Sequence, residues 1–274
     1  MADPVDSSQA QAEQKEAALV AYHRAQASVP RHRFGLAYLA LAVILGAAVG
    51  LFVVFASNGG KDSSPAWSAW EPTKDGVERL DEIGRYVSHQ YALPSGRVLV
   101  TPFSTPPVVR LGNQLAAVRA IRITTGLPGE SVNDSQIIDA TNVWAYELCG
   151  GGKDCALSDG SASASRGRLL QRESLELALY TFKFEPAINY VVTYFPPVPK
   201  SDPAAIVLTR EALEEPLKHP LAQTLPPPRT RLMPGQLSGN DLAVLDRYIT
   251  RAYSLSGEQL QDGSPLLVLR PAAS

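Results

Sequence analysis

Residues 168–195, RLLQRESLELALYTFKFEPAINYVVTYF, decide the fold class because a helical pattern passes directly into a strand pattern. The first part spaces its leucines and Tyr180 among good helix formers, which predicts a helix over 168–184. The last six residues are all β-branched or aromatic, so they predict a strand at 190–195 that ends at Pro196. A helix followed at once by a strand favours a mixed fold.

Further helices and strands flank that stretch without regular alternation. A helix is predicted at 75–93, where Asp75 and Glu78 suit a capping pair, and another at 240–253. Strands are predicted at 97–101, 117–125, 142–149, 204–209 and 265–271. This order predicts an α+β fold, a single mixed α+β domain over residues 73–274, rather than a regular α/β wind or an all-β sandwich.

A long apolar run precedes that domain. Residues 34–56, FGLAYLALAVILGAAVGLFVVFA, contain no charged side chain. As a helix this run would be about 35 Å long, enough to cross a hydrocarbon core of roughly 30 Å. A signal peptide cleaved after Ala56 is the alternative, but signal peptides have shorter apolar regions that begin nearer the amino terminus. The sequence therefore predicts one uncleaved transmembrane helix.

Basic residues flanking the run predict its orientation. Arg24, Arg31 and Arg33 precede it, whereas Lys61 is the nearest basic residue after it. The positive-inside rule then places the amino terminus in the cytoplasm. The chain after the span would be extracytoplasmic.

Outside the predicted span, the sequence predicts three further parts of the chain. Residues 1–33 form a disordered or partly helical cytoplasmic tail, residues 57–72 a linker, and residues 73–274 the extracytoplasmic α+β domain. The tail is too short for a catalytic domain and lacks the Cys and His spacing of zinc-binding anti-sigma factors. Trp67 and Trp70 suit either an aromatic belt at the membrane surface or the core of the first folded element.

The two cysteines of the chain lie in ELCGGGKDCAL, residues 147–157. Their spacing is not that of a CxxC zinc or redox motif, and the sequence around Lys153 lacks the glycine and hydroxyl residue of a phosphate-binding loop. The predicted topology places both thiols outside, where disulfides persist. We therefore expect a Cys149 to Cys155 disulfide, which closes a short loop and contributes about 2.4 kcal/mol.

Small residues recur at every fourth position within the predicted span. Ala42, Gly46 and Gly50 would share one face of the helix and allow a partner backbone to approach closely. The sequence therefore predicts a helix-dimer face and a homodimer formed through it.

No motif in the sequence identifies a catalytic or metal site. His89 and His219 are the only histidines after the span, and neither has the spacing of a zinc site, so we predict no metal. No GxSxG or SxxK motif is present, and the sequence around Ser256 also lacks their spacing. The catalytic residues therefore stay unknown. Acidic pairs such as Glu214 and Glu215 are typical of a solvated helix surface.

The overall charge argues against one class of partner. A net charge of −2 and an isoelectric point near 6.1 do not fit nucleic-acid binding, which needs a basic surface. No cofactor is predicted either. The lipid bilayer is the partner that residues 34–56 predict.

The segment LLQRESLELALYTFKF, followed by a β-prone segment that ends in two prolines, resembles uncharacterised single-span membrane proteins of actinobacteria. The resemblance covers this short segment and the placement of the span. It implies a cell-envelope location and no activity.

Together these patterns predict a single-pass, membrane-anchored extracytoplasmic protein, a non-enzymatic binding or structural module of the cell envelope. Its partner would be an envelope protein or a cell-wall component. One alternative is a membrane-tethered extracytoplasmic hydrolase whose dispersed catalytic residues include one of the two histidines. Another is a small-ligand sensor that signals through the span.

Overall fold

The computed structural model describes residues 66–111, 114–124, 135–148, 162–195 and 204–272, which belong to one compact unit. Among these residues no helix has the length and apolar character needed to cross a membrane. Several predictions concern residues outside the described ranges: the tail, the span at 34–56, the dimer face of Ala42, Gly46 and Gly50, and the Cys149 to Cys155 disulfide.

The described residues form five α-helices and ten strands. The helices are α1 Gly76–Ser88, α2 Ala164–Phe184, α3 Glu214–Lys218, α4 Leu221–Thr224 and α5 Gly239–Tyr248, with a 3₁₀ turn at Ala140–Asn142. The strands are β1 Pro102–Thr105, β2 Val108–Leu111, β3 Gln114–Ala117, β4 Ala120–Thr124, β5 Ser135–Asp139, β6 Val143–Leu148, β7 Tyr190–Tyr194, β8 Ala204–Thr209, β9 Tyr253–Gln259 and β10 Pro265–Pro271.

Eight strands form one mixed sheet in the order β1-β6-β7-β8-β9-β10-β4-β5, and β2 and β3 form a separate hairpin. The β6–β7 and β10–β4 pairs are parallel, and the other pairs are antiparallel. A parallel pair needs a crossover connection, and α2 supplies it between β6 and β7. The fold is therefore α+β, as the sequence predicts.

Helix α2 forms the centre of the layer on one face of the sheet. Every residue from Arg172 to Phe182 is buried, because α1, α5 and the strands all pack around it. Tyr146 of β6 shares a hydrogen bond of 2.8 Å with Thr181 of α2. Gly84 of α1 lies close to β1, since a Cβ there would be 3.6 Å from Pro102. These contacts fix the helices on the sheet.

An aromatic cluster joins the start of the described chain to this layer. Trp67 packs edge-on against Tyr180, and Trp70 stacks on Tyr86 with ring centroids 3.9 Å apart. Both tryptophans therefore belong to the core of the first folded element, one of the two roles that the sequence allows. Residues 66–72, predicted as part of the linker, thus include side chains that pack into the domain core.

The other face of the sheet is curved and covers a second core. Side chains from β4, β5, β7 and β10 meet there under the β2–β3 hairpin, with Ile121, Ile138, Val192 and Leu267 among them. The Nε2 of Gln136, on the outermost strand β5, donates to Tyr190 Oη of β7 at 3.1 Å. Since β5 and β7 are far apart in strand order, the sheet curls enough to bring them together.

The structure confirms four of the predicted strands, and other elements differ from their predictions. Strands β6, β7, β8 and β10 lie where the sequence predicts them, and β7 and β8 form an antiparallel pair. The prediction of a strand at 97–101 is wrong. Only Val98 forms an isolated bridge there, and strand β1 begins at Pro102. The segment predicted as one strand at 117–125 is interrupted at residues 118–119, between β3 and β4.

The boundaries of the two flanking helices also differ. Asp75 makes no capping hydrogen bond; its carboxylate instead pairs with Arg79 one turn later. The last predicted helix ends at Tyr248, before its predicted end at 253, and Tyr253 already begins β9.

Candidate functional site

A polar cleft opens between β5 and the start of β7. Its volume is about 620 Å³, within the range of ligand-binding pockets. We call it the polar cleft, and its walls are Gln136, Ile138, Asp139, Asn142, Asn189, Tyr190, Thr209, Arg210, Glu211 and Glu214. Most of these side chains are amides, hydroxyls or carboxylates, so the cleft offers both hydrogen-bond donors and acceptors.

The turn between β5 and β6 shapes one end of this cleft. Asp139 caps the 3₁₀ turn, where its carboxylate accepts hydrogen bonds of 2.8 Å from both the N–H and the Oγ1 of Thr141. The N–H of Asn189 donates to the carbonyl of Asn142 at 2.8 Å, which ties the turn to the start of β7. The two walls of the cleft are therefore connected by fixed backbone contacts at this end.

Arg210 is a cation in the cleft wall, and four of its five N–H donors bond to backbone carbonyls. Its Nη1 donates to the carbonyl of Phe182 at 2.7 Å, and its Nη2 donates to Glu185 at 2.7 Å and Ile188 at 2.8 Å. Its Nε also donates to Ile188, at 3.0 Å. Arg210 thus neutralises the carboxyl end of α2, where the backbone carbonyls carry partial negative charge.

The remaining charges of the polar cleft are negative. The hydrogen bonds from Thr141 lower the pKa of Asp139, so this carboxyl is ionised at neutral pH. Glu214 pairs with Lys218 at 2.8 Å, whereas Glu211 forms no ion pair within the described residues. We therefore expect the cleft to favour neutral or cationic ligands over anions.

A second, smaller cleft lies at the other end of the curved face. This apolar cleft has a volume of about 360 Å³ and is lined by Val108, Val109, Leu115, Glu147, Leu148, Tyr194, Phe195, Leu255, Ser256, Gly257 and Leu267. The hydroxyl of Tyr194 is buried without a hydrogen-bond partner in the described part of the chain. Burial, followed by the charge of Glu147, raises the pKa of Tyr194, so the hydroxyl stays protonated.

The strongest charge cluster lies away from both clefts, inside the helical layer. Arg172 of α2 donates to Asp241 of α5 at 2.9 Å and to Tyr91 at 2.7 Å, and its Nη1 lies 3.3 Å from Glu176. Arg172 also donates to the carbonyl of Pro226 at 2.9 Å. Because Arg172 is only 1 % exposed, this cluster fixes the packing of α2 inside the helical layer.

Glu173 lies next to that cluster on α2 and has a different environment. Both of its carboxylate oxygens are buried with no hydrogen-bond partner among the described residues. Burial, together with the nearby Glu176, raises the pKa of Glu173 well above its usual range. We therefore expect a protonated carboxylic acid inside the core.

The histidines do not contribute to either cleft. His89 follows α1 and is exposed, while His219 Nε2 lies 3.0 Å from Glu215 Oε1 on the surface of α3. Ser256 lines the apolar cleft, where its hydroxyl accepts a hydrogen bond of 2.6 Å from Arg270. Within the described residues, no group of three or more Cys, His, Asp and Glu side chains could hold a metal ion.

Sequence reasoning did not find the polar cleft, because its residues come from separate elements and form no motif. One local signal existed, since Asp139 followed by Thr141 is the pattern of an Asx turn. No family model matches this chain, and no curated protein or solved structure matches it either.

Proposed function

We propose that this chain is a single-pass, membrane-anchored extracytoplasmic protein whose α+β domain is a non-enzymatic binding module of the cell envelope. The apolar run at 34–56 and the arginines before it support the anchor and its orientation. In this proposal Cys149 and Cys155 form a disulfide, and Ala42, Gly46 and Gly50 lie in a dimer contact between spans.

The observation that carries the binding role is the polar cleft. It is open to solvent, and its amides, hydroxyls and carboxylates can bind a ligand through several hydrogen bonds at once. The hydrolase alternative requires a histidine near such groups, but both histidines lie outside the clefts. Binding of an envelope protein or cell-wall component is therefore the function we favour.

Affinity purification of the full chain from membranes, with its anchor intact, tests the binding role. We expect an envelope component to be retained by the unaltered protein and lost with Asn189→Leu, which removes an exposed amide from the polar cleft. Asn240→Leu is the matched control, because Asn240 is an exposed amide at the start of α5. Equal retention by both variants, or chemical conversion of the captured component, would contradict the proposal.

The location can be tested independently of the partner. Mass spectrometry of non-reduced protein, extracted from membranes with thiols blocked, should show Cys149 linked to Cys155. Two free thiols would argue against both the disulfide and the extracytoplasmic placement.

A further inference from the structure

Three residues that line the polar cleft form a row whose backbones are bonded to one another. The N–H of Asn189 donates to the carbonyl of Asn142 at 2.8 Å, and the N–H of Arg210 donates to the carbonyl of Asn189 at 2.9 Å. The row crosses the sheet at one end of β6, β7 and β8, which are neighbours in that order. The main chain therefore fixes the positions of the two asparagines without using their side chains.

The amides of these two asparagines are directed to the cleft. Both residues are exposed, and neither side chain has a hydrogen bond to another residue of the described ranges. An amide carries two N–H donors and one acceptor oxygen. Asn142 and Asn189 therefore offer donors and acceptors from adjacent strands.

Two hydroxyl groups add further donors to the same cleft. The hydroxyl of Tyr190 accepts from Gln136 at 3.1 Å, and that of Thr209 accepts from the N–H of Ala212 at 3.1 Å. Because each oxygen acts as the acceptor in these bonds, each hydroxyl can still donate its own proton. Both hydroxyls are thus positioned by one bond and can form another with a ligand.

Carboxylates supply the remaining acceptors. Both hydrogen bonds from Thr141 end on Oδ1 of Asp139, which leaves Oδ2 to accept from a ligand. Glu211 is exposed and forms no ion pair with any described residue. The cleft therefore combines negative charge with a larger number of neutral donors and acceptors.

This combination discriminates between classes of ligand. An anion would be repelled by Asp139 and Glu211. A simple cation would pair with these carboxylates, but it would leave the N–H and O–H donors of the cleft without partners. A sugar hydroxyl both donates and accepts, so a neutral polyhydroxylated ligand uses every kind of polar group in the cleft.

The apolar part of the cleft is small, which argues against a protein partner. Protein interfaces depend on large apolar or aromatic anchors that fill desolvated pockets. Among the residues that the structure places in the cleft wall, Ile138 is the one aliphatic side chain and Tyr190 the one aromatic ring. These two side chains are sufficient for the C–H groups of a sugar ring.

The volume of the cleft sets the length of the bound segment. At roughly 30 Å³ for each water-sized group, a cleft of 620 Å³ holds on the order of 20 non-hydrogen atoms. A disaccharide has about this size. Because the cleft is open to solvent, a longer chain can continue beyond it.

We infer that the polar cleft binds a neutral glycan through a segment of about two sugar rings. The amides of Asn142 and Asn189, the hydroxyls of Tyr190 and Thr209 and the carboxylate of Asp139 bond to its hydroxyl groups. This inference rests on the proposed function, because it uses the same cleft, and it specifies the cell-wall component as an uncharged oligosaccharide.

Saturation-transfer difference NMR with defined sugars tests the inference. The full chain is reconstituted in phosphatidylcholine nanodiscs, with empty nanodiscs as the blank. Maltose, cellobiose, lactose and N,N′-diacetylchitobiose are titrated separately to about 10 mM. We expect saturable binding of at least one of these neutral disaccharides, and weaker binding of its monosaccharide, which fills only part of the cleft. Failure of all four disaccharides to bind would overturn the inference.

Analogues of the disaccharide that binds best test which of its groups are recognised. Removal of single hydroxyls should weaken binding about tenfold at one position or more, because a cleft group then loses its partner. Replacing a hydroxymethyl group by a carboxylate should also weaken binding, because the new charge would lie near Asp139 and Glu211. Unchanged affinity for every deoxy analogue, or a preference for the carboxylate, would overturn the inference.

Substitutions in the cleft provide the second arm. Asn142→Leu removes an amide but keeps the carbonyl that accepts from Asn189, so the domain should keep its fold while disaccharide binding weakens about tenfold. Tyr190→Phe keeps the ring, loses the hydroxyl and should weaken binding by about threefold to tenfold. Asn240→Leu, at the exposed start of α5, is the matched control and should bind as the unaltered protein does. Equal binding by both cleft variants and the control would place the sugar elsewhere and overturn the inference.

The outcomes separate this inference from the proposed function. If no disaccharide binds but an envelope protein is retained by the full chain and lost with Asn189→Leu, the glycan inference fails and the binding module stands. If a disaccharide binds in a manner that depends on Asn142 and is then hydrolysed, the non-enzymatic role fails and glycan recognition stands. If it binds in this manner while Cys149 and Cys155 are free thiols, the envelope location fails and the glycan inference stands.

Discussion

Replacing Glu173 by methionine should raise the free energy of unfolding by an amount that grows with pH. Both oxygens of Glu173 are buried without partners among the described residues, and its pKa is raised in the folded domain. Methionine has a similar size, an equal helix propensity and no group to protonate. The substitution therefore removes an unpaired polar group without removing a described hydrogen bond.

The magnitude follows from proton linkage. A glutamate has a pKa of about 4.3 when unfolded, so above that pH the unfolded chain releases a proton that the folded domain keeps. The unaltered protein thus loses stability as pH rises toward the raised pKa of Glu173, by up to about 1.4 kcal/mol per pH unit. Between pH 5 and pH 7 the advantage of Glu173→Met in free energy of unfolding should therefore increase with pH.

Urea unfolding of the full chain in nonionic detergent measures this difference at pH 5, 6 and 7. Tryptophan fluorescence reports on the domain, because the three tryptophans of the chain, Trp67, Trp70 and Trp144, all belong to or pack against its core. Glu78→Met is the matched control, because it makes the same substitution on the exposed surface of α1. If the free energies of unfolding of Glu173→Met and the unaltered protein differ by the same amount at every pH, the buried acid is not protonated and the prediction is wrong.

Three further variants test other contacts. Arg172→Met leaves Glu176 buried without its counter-ion and should cost about 3 to 5 kcal/mol, seen as a lower midpoint in thermal unfolding; an unchanged midpoint would contradict the role of the ion cluster. Arg210→Lys replaces a planar fork of five donors by one ammonium with three, so it cannot reproduce the four bonds to backbone carbonyls. It should cost about 1 to 3 kcal/mol in urea unfolding, whereas a cost near zero would mean that water replaces these bonds. In membranes, Gly46→Ile combined with Gly50→Ile should abolish crosslinked dimers, and unchanged crosslinking would rule out the predicted dimer face.

Local patterns in the sequence were sufficient for the elements that are bounded by strong signals. Strand β7 is β-branched and aromatic and stops before two prolines, and β8 and β10 are similarly apolar runs. Helix α2 begins four residues before its predicted start, because the side chain of Ser163 caps it by accepting from the N–H of Arg166. The preceding serines and alanines resemble a polar loop, and a single cap is easily missed among them.

Long-range pairing accounts for what local patterns could not predict. The position of β5 at an edge depends on β10 pairing with β4, and no local pattern encodes that contact. The burial of Glu173 is unexpected for a related reason, since helices usually keep charged residues on a solvated face. Because α2 is enclosed on all sides, it has no such face along its middle turns.

The parallel pairing of β10 with β4 also bears on how the domain folds. Leu266 lies opposite Ala120, so this part of the sheet joins positions far apart in the chain and raises the contact order. Strands β4 and β5 cannot join the large sheet until the chain has been made as far as β10. We therefore expect folding to be slow, with β4 and β5 attached last and their edges open to aggregation until then.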